Sequence, residues 1–128
     1  MREYQGSLAG EQITLAATFG ASIKLAKEVG DPLEIAREAN LEVYMMERGL
    51  TYHPRWKFTV ENVPKILYIG MKEAGSNKTL EQVQELVFDT GFPAARDIAL
   101  DYLAIIVGPA PETRQEKADS AEDKKEGN

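Results

Sequence analysis

The chain has no cysteine, one histidine, no glycine-rich phosphate loop and no long uncharged apolar run. Each absence removes a class of function. Without cysteine there is no disulfide, no thiolate metal site and no thiol nucleophile, which suits a reducing compartment. A single histidine, His53, cannot build a histidine-rich metal site, and a catalytic triad around it would need a serine and a carboxylate that no local motif announces. His53 therefore reads as a loop residue. The most apolar stretch, Ile98 to Val107, is interrupted by Asp101 and falls far short of a bilayer span. The opening residues Met1-Arg2-Glu3-Tyr4-Gln5-Gly6 lack the apolar centre of a signal peptide. Gly70, Gly75 and Gly91 are spaced for packing and capping, not as a dinucleotide or P-loop fingerprint. Asp89-Thr90-Gly91 has the letters of an aspartic-protease motif, but it falls at a predicted helix end, where a capping turn accounts for it.

Basic charge is scarce as well. A formal net charge of −6 over 128 residues sets the surface against a phosphate backbone and an anionic bilayer, so neither nucleic acid nor membrane is an expected partner. Carboxylates are plentiful, yet Glu38, Glu42, Glu73, Glu81 and Glu85 fall where predicted helices face water. A solvated face explains them without acid-base chemistry. The expectation is a cytosolic binding protein, with no enzymatic activity, no cofactor and no metal.

What the chain does have is 43% hydrophobic residues, enough for one core, and periodicity to place them. Between Tyr4 and Thr18, Ile13, Leu15 and Ala17 alternate with Gln12, Thr14 and Ala16 behind a turn at Gly10-Glu11, predicting a β-hairpin. From Phe19 the period becomes helical, with Phe19, Ile23 and Ala26 on one face, Leu25 and Val29 beside it, and Gly30 as a left-handed terminator. Asp31-Pro32-Leu33-Glu34 restarts a helix with a carboxylate cap and a first-turn proline. Its apolar row is Ile35, Ala39, Val43 and Met46, and Gly49 stops it. A third helix begins between Thr59 and Val63, facing inward through Val63, Ile66, Leu67, Gly70, Met71 and Ala74. Thr79-Leu80-Glu81-Gln82 has the spacing of a capping box and opens a fourth helix, buried through Leu80, Val83, Leu86 and Val87 and ended by Gly91. Pro93 starts a fifth, with Ala95, Ile98, Ala99, Tyr102, Leu103 and Ile106 inward. The predicted fold class is mostly α (α+β): about five helices with an N-terminal β-hairpin in one domain over 1–108. The segment 109–128 reads as a disordered charged tail, because from Glu112 onward it holds six acids, four bases and no large apolar residue.

Leu50 to Phe58 breaks the helical period, and Pro54 forbids a regular helix there. An extended backbone would put Tyr52, Trp56 and Phe58 on one side, as an ordered arm or short strand. Two readings of this arm stand. In one, the aromatics cover the core and Arg55 and Lys57 point to water. In the other, Tyr52, Arg55, Trp56 and Phe58 stay accessible as the residue types that dominate protein interfaces, joined by Met45 of the adaptable pair Met45-Met46. Two cations are too few for a single-strand nucleic-acid platform.

Ile13-Thr14-Leu15, Phe19-Gly20-Ala21, Leu25 and Glu28-Val29-Gly30-Asp31-Pro32-Leu33 resemble the opening of the tail assembly chaperones of long-tailed phages and gene transfer agents. Phe58-Thr59-Val60-Glu61-Asn62-Val63, Ile69-Gly70-Met71-Lys72-Glu73-Ala74-Gly75 and Thr79-Leu80-Glu81-Gln82-Val83 are similar to that family's middle and final helices. The resemblance spans about Gln12 to Gly108 and consists of structural punctuation and hydrophobic spacing. It implies a factor of the bacterial host cytoplasm, from a phage, prophage or gene transfer agent. Such a factor coats the tape measure protein, helps recruit tail-tube subunits and is absent from the mature particle. Some members are also made in a frameshift-extended form. It implies no catalytic residues, and it does not extend to the arm from Tyr52 to Phe58. Weak self-association fits repeated, displaceable contacts. The alternative is a non-enzymatic helical adaptor or regulatory domain. A DNA-binding regulator would carry a basic recognition helix, and none of the five predicted helices is basic.

Overall fold

Ala9 and Gly10 reverse the chain between its first two elements. In a computed structural model, which describes residues 2–109, strand β1 (Glu3–Leu8) pairs antiparallel with β2 (Glu11–Ala16), Glu3 opposite Ala16 and Leu8 opposite Glu11. Ala9 and Gly10 have φ of 51° and 80°, the double left-handed conformation whose twist suits a two-residue hairpin turn. The turn thus lies one residue before the predicted Gly10-Glu11. Glycine and, less strongly, asparagine or aspartate announce a left-handed position in sequence, and alanine at such a φ does not.

Five helices follow: α1 (Phe19–Glu28), α2 (Pro32–Glu47), α3 (Asn62–Glu73), α4 (Leu80–Thr90) and α5 (Phe92–Val107). The predicted class, five helices behind an N-terminal hairpin, is the one observed. Helix α3 is the axis of the core, burying Val63, Pro64, Ile66, Leu67, Ile69, Gly70 and Met71 among β2, α1, α4 and α5. Full burial of each large aliphatic side chain is worth about 1.5–3 kcal/mol, so this one helix anchors the others. Only Ala74 of the expected row is exposed.

Gly70 lies where α3, β2 and α5 meet. A Cβ there would sit 2.9 Å from Tyr102 Cζ and 3.0 Å from Leu15 Cβ, so the missing side chain is what lets the three elements close. Tyr102, fully buried on α5, donates its hydroxyl to the Ala16 carbonyl at 2.7 Å. The Ala17 N–H donates to the Arg2 carbonyl at 2.8 Å. The antiparallel alternation therefore turns the Ala16 carbonyl away from β1, and Tyr102 satisfies it. Burial pushes the Tyr102 phenol well above its ordinary pKa. At the far end of α5 the Arg2 guanidinium donates to the carbonyls of Ile105, at 3.1 Å, and Gly108. It supplies the positive charge that the last turn of α5 lacks.

The local signals for α4 and α5 hold. The Gln82 N–H donates to Thr79 Oγ1 at 3.2 Å and the Thr79 N–H donates to Gln82 Oε1 at 2.8 Å, closing the capping box. Gly91, at φ 100°, separates the two helices, and Pro93 stands in the first turn of α5.

Three expectations are corrected. Helix α1 does not bury Phe19, Ile23 and Ala26; Phe19 is 81% exposed, and the inward row is Thr18, Ala21, Ser22 and Leu25. Its rotation is set by α3: Glu73 accepts from Thr18 Oγ1 at 3.3 Å and pairs with Lys24. Gly30 is not left-handed; a Cβ there would stand 2.8 Å from Trp56 Nε1, so its role is close approach. In α2 only the first half packs, with Ile35 buried and Ala39 half-buried, while Val43 and Met46 are exposed. The tail predicted for 109–128 lies, from residue 110 on, outside the described residues.

Candidate partner-binding surface

Between Glu38 and Val63 no residue is buried. The second half of α2 and the arm that returns from it form a lobe on the side of the body. Gly49, at φ 69°, turns the chain at the end of α2. The arm then runs without regular secondary structure and alternates strictly: Tyr52, Pro54, Trp56 and Phe58 half-buried, His53, Arg55 and Lys57 exposed. That is the side-chain alternation of an extended backbone, as predicted, but among the described residues no strand pairs with it.

Three ties fix the arm. The first is Glu38, 1% exposed, which accepts the Tyr52 hydroxyl at 2.6 Å and the Arg55 N–H at 3.0 Å on the same oxygen, while its other oxygen stands 3.8 Å from Arg37. The expectation that Glu38 faces water is therefore corrected: it is the buried carboxylate that clasps the arm to α2. The Tyr52 hydrogen bond, then the Arg55 N–H, holds its pKa below the ordinary carboxylate value, and the same bond raises the Tyr52 phenol. The second tie is Trp56, whose indole lies against Gly30 with Nε1 3.5 Å from the Val29 carbonyl and meets Phe58 edge-on, ring centroids 4.9 Å apart. The third is a reciprocal pair at the start of α3. The Thr59 N–H donates to Asn62 Oδ1 at 2.8 Å and the Asn62 N–H to Thr59 Oγ1 at 3.0 Å, while the Asn62 amide donates to the Lys57 carbonyl at 2.8 Å.

Trp56 and Phe58 pack against the core, as the covering reading expects, and Tyr52, Trp56 and Phe58 all line a cleft with their outer sides. That cleft, of about 350 Å³, runs between the arm, Ile35, Ala39 and Glu42 of α2, and Arg96 of α5. A second cleft, of about 190 Å³, continues past Phe58 and Arg96 to Val60, Val63, Phe92 and Pro93. Arg55 is exposed and lines neither cleft, held through its backbone rather than its guanidinium. Met45 is half-buried, two turns beyond Glu38 on α2, and does not line either cleft. Its neighbour Met46 is the exposed one, at 67%, together with Val43 at 56%, Tyr44, and Leu50 at 55%. Arg48 lies over the Tyr44 ring, 3.5 Å from its centroid, and donates to the Tyr44 carbonyl. This contact spans one turn of α2 and leaves Val43, Met46 and Leu50 exposed.

Sequence reasoning missed the outward turn of Val43, Met46 and Leu50, and it missed Glu38 and Arg96. One signal for Glu38 was present: it follows the buried Ile35 by one helical turn, on the same face.

Among the described residues, no group of three or more histidine, aspartate or glutamate side chains is placed to hold a metal ion. No described helix is long and apolar enough to cross a membrane. Comparison with family models, with curated proteins and with solved structures gives no match to this chain.

Proposed function

We propose that this chain is a tail assembly chaperone of a long-tailed phage, prophage or gene transfer agent. It binds the tape measure protein and helps recruit tail-tube subunits in the bacterial cytoplasm. One observation carries the proposal: the lobe beyond Glu38 has no buried residue of its own and holds Val43, Tyr44, Met46 and Leu50 in water. A body that exposes such apolar side chains together, instead of folding them away, has a surface to offer another protein. Methionine beside valine, tyrosine and leucine suits an apolar stripe on a helical partner, to which flexible side chains adapt.

The acidic character of the described body, fifteen carboxylates against eleven cations, supports a soluble carrier that does not aggregate through its own tip. The function is binding rather than catalysis. Glu38 and Glu73, the carboxylates with lowered pKa, are both engaged in hydrogen bonds that hold helices and arm together. Weak, displaceable contacts suit a factor that tail-tube subunits must remove.

The test is co-expression with the tape measure protein of the same phage, prophage or gene transfer agent, followed by affinity capture. A soluble complex containing the tape measure is the expected result. An insoluble tape measure with no complex at low salt would remove the chaperone function and leave the helical adaptor in its place.

A further inference from the structure

The two clefts along the arm carry charge of the opposite sign to the rest of the molecule. In a chain of net charge −6, the lining of the first holds Lys57 and Arg96 against a single carboxylate, Glu42, and the lining of the second holds Arg96 and no carboxylate. Arg55 is exposed between the lining residues Pro54 and Trp56 without itself lining either cleft. Neither Arg55 nor Lys57 is in an ion pair with another described residue, and Arg96 meets only its chain neighbour Asp97, at 3.5 Å. Glu38, which the arm covers, is turned inward by the Tyr52 hydroxyl and the Arg55 N–H, so Glu42 is the one carboxylate left in the cleft lining among the described residues. Between these cations the floor is apolar, with Trp56, Phe58 and Phe92.

We infer that the paired clefts receive an acidic amphipathic segment of a partner protein, its apolar row on the Trp56–Phe58–Phe92 floor and its flanking carboxylates on Arg55, Lys57 and Arg96. This deepens the protein-binding function above and rests on it. Charge complementarity selects the occupant. A basic or neutral apolar segment would gain the same floor but would leave three cations unpaired or opposed, and opposed charges at an interface select against the wrong partner. The rim cations are solvent-facing, so they set partner choice, encounter rate and salt dependence, while the aromatic floor supplies the anchoring contact.

Trp56 is the only tryptophan, and it lies in the floor, so its fluorescence reports occupancy directly. Full-length protein is titrated with two synthetic helical peptides that share one leucine row, flanked in the first by glutamates and in the second by lysines. The glutamate peptide is expected to shift Trp56 emission with an affinity that falls as salt rises. Lys57→Glu and Arg96→Glu together are expected to weaken it by about tenfold or more and to raise affinity for the lysine peptide. Both positions are exposed, so circular dichroism of the double variant should match the parent. Equal or tighter binding of the lysine peptide by the parent would overturn the inference. So would an emission unchanged by either peptide. A Trp56 emission that responds to salt with no peptide present would assign the clefts to the chain's own acidic segment 112–128 and would overturn it too. Recovery of a tape measure complex without glutamate-peptide binding would sink this inference and spare the chaperone function; the reverse pattern would sink the chaperone function alone.

Discussion

Replacing Gly70 by alanine sets two effects of opposite sign against each other at the centre of the fold. In a helix interior alanine is favoured over glycine by about 1 kcal/mol, so propensity alone predicts a gain. Against it stands the crossing of three elements: the new Cβ would lie 2.9 Å from Tyr102 Cζ and 3.0 Å from Leu15 Cβ. The first of these atoms is at the far end of a side chain, which ordinarily gives way. This one is fully buried and tethered through its hydroxyl to Ala16 at 2.7 Å, and the second sits at the strand backbone. Overpacking of a core costs about 1–3 kcal/mol, and with both neighbours fixed the upper half of that range applies. The net expectation is a loss of about 1–2 kcal/mol, read as a lower urea midpoint at unchanged slope and a fall in Tm of about 4–8 °C per kcal/mol. In a Tyr102→Phe background the ring is no longer tethered, so the penalty for Gly70→Ala should shrink, a coupling that a double-mutant cycle measures. Equal or greater stability of Gly70→Ala would refute the claim that close approach, and not chance, put glycine there.

Three further outcomes follow from other parts of the structure. Glu38 and Glu73 are held below their ordinary value of 4.5, Glu38 by the Tyr52 hydroxyl first and Glu73 by Lys24 first. Their stabilisation is present above the unfolded value and is lost as pH falls through the depressed folded values, so Tm should drop below about pH 4.5. Tyr52→Phe should lower Tm at neutral pH and make that acid-side drop shallower; an unchanged pH profile would mean the clasp is not formed. Gly30→Ala drives a Cβ to within 2.8 Å of the Trp56 indole and should shift the emission of this single tryptophan while the domain stays folded, at a cost of about 1 kcal/mol. An unaltered spectrum would contradict the Trp56 packing. Thr79→Ala removes the side-chain half of the α4 capping box and should cost about 1 kcal/mol in thermal unfolding followed by circular dichroism, and no loss would show that box to be dispensable.

What was legible in the sequence is what short-range chemistry decides. The capping box at Thr79 and Gln82, the breaks at Gly49 and Gly91, the proline starts of α2 and α5 and the inward rows of α3 and α5 are each settled within one or two turns of chain, and they stand where expected. The alternation of the arm was legible for the same reason. The failures are choices that a distant element makes. In α1, two apolar rows compete for the inward face, and the Glu73 contacts from α3, fifty-five residues from Thr18, select Ala21 and Leu25 over Phe19 and Ile23. Glu38 reads as a solvated carboxylate until the chain returns fourteen residues later with a hydroxyl and an N–H to meet it. The apolar row of α2 is real, but among the described residues nothing covers Val43 and Met46 in its outer half, and periodicity carries no information on where a neighbouring helix stops. Of the candidate binding residues, Tyr52, Trp56, Phe58 and Arg55 are brought to one place, whereas Met45 is half-buried on the helix and Met46 is the exposed member of the pair.

The central claim, that the exposed tip of the lobe holds the tape measure protein in solution, is tested most directly by charge at that tip. Val43→Glu with Met46→Glu replaces two exposed residues and should leave the fold and its melting curve intact. Co-produced with the tape measure protein, the unaltered chain should yield a soluble complex, and the double variant, equally well folded, should leave the tape measure in the pellet. Equal recovery of soluble tape measure with both proteins would contradict the account.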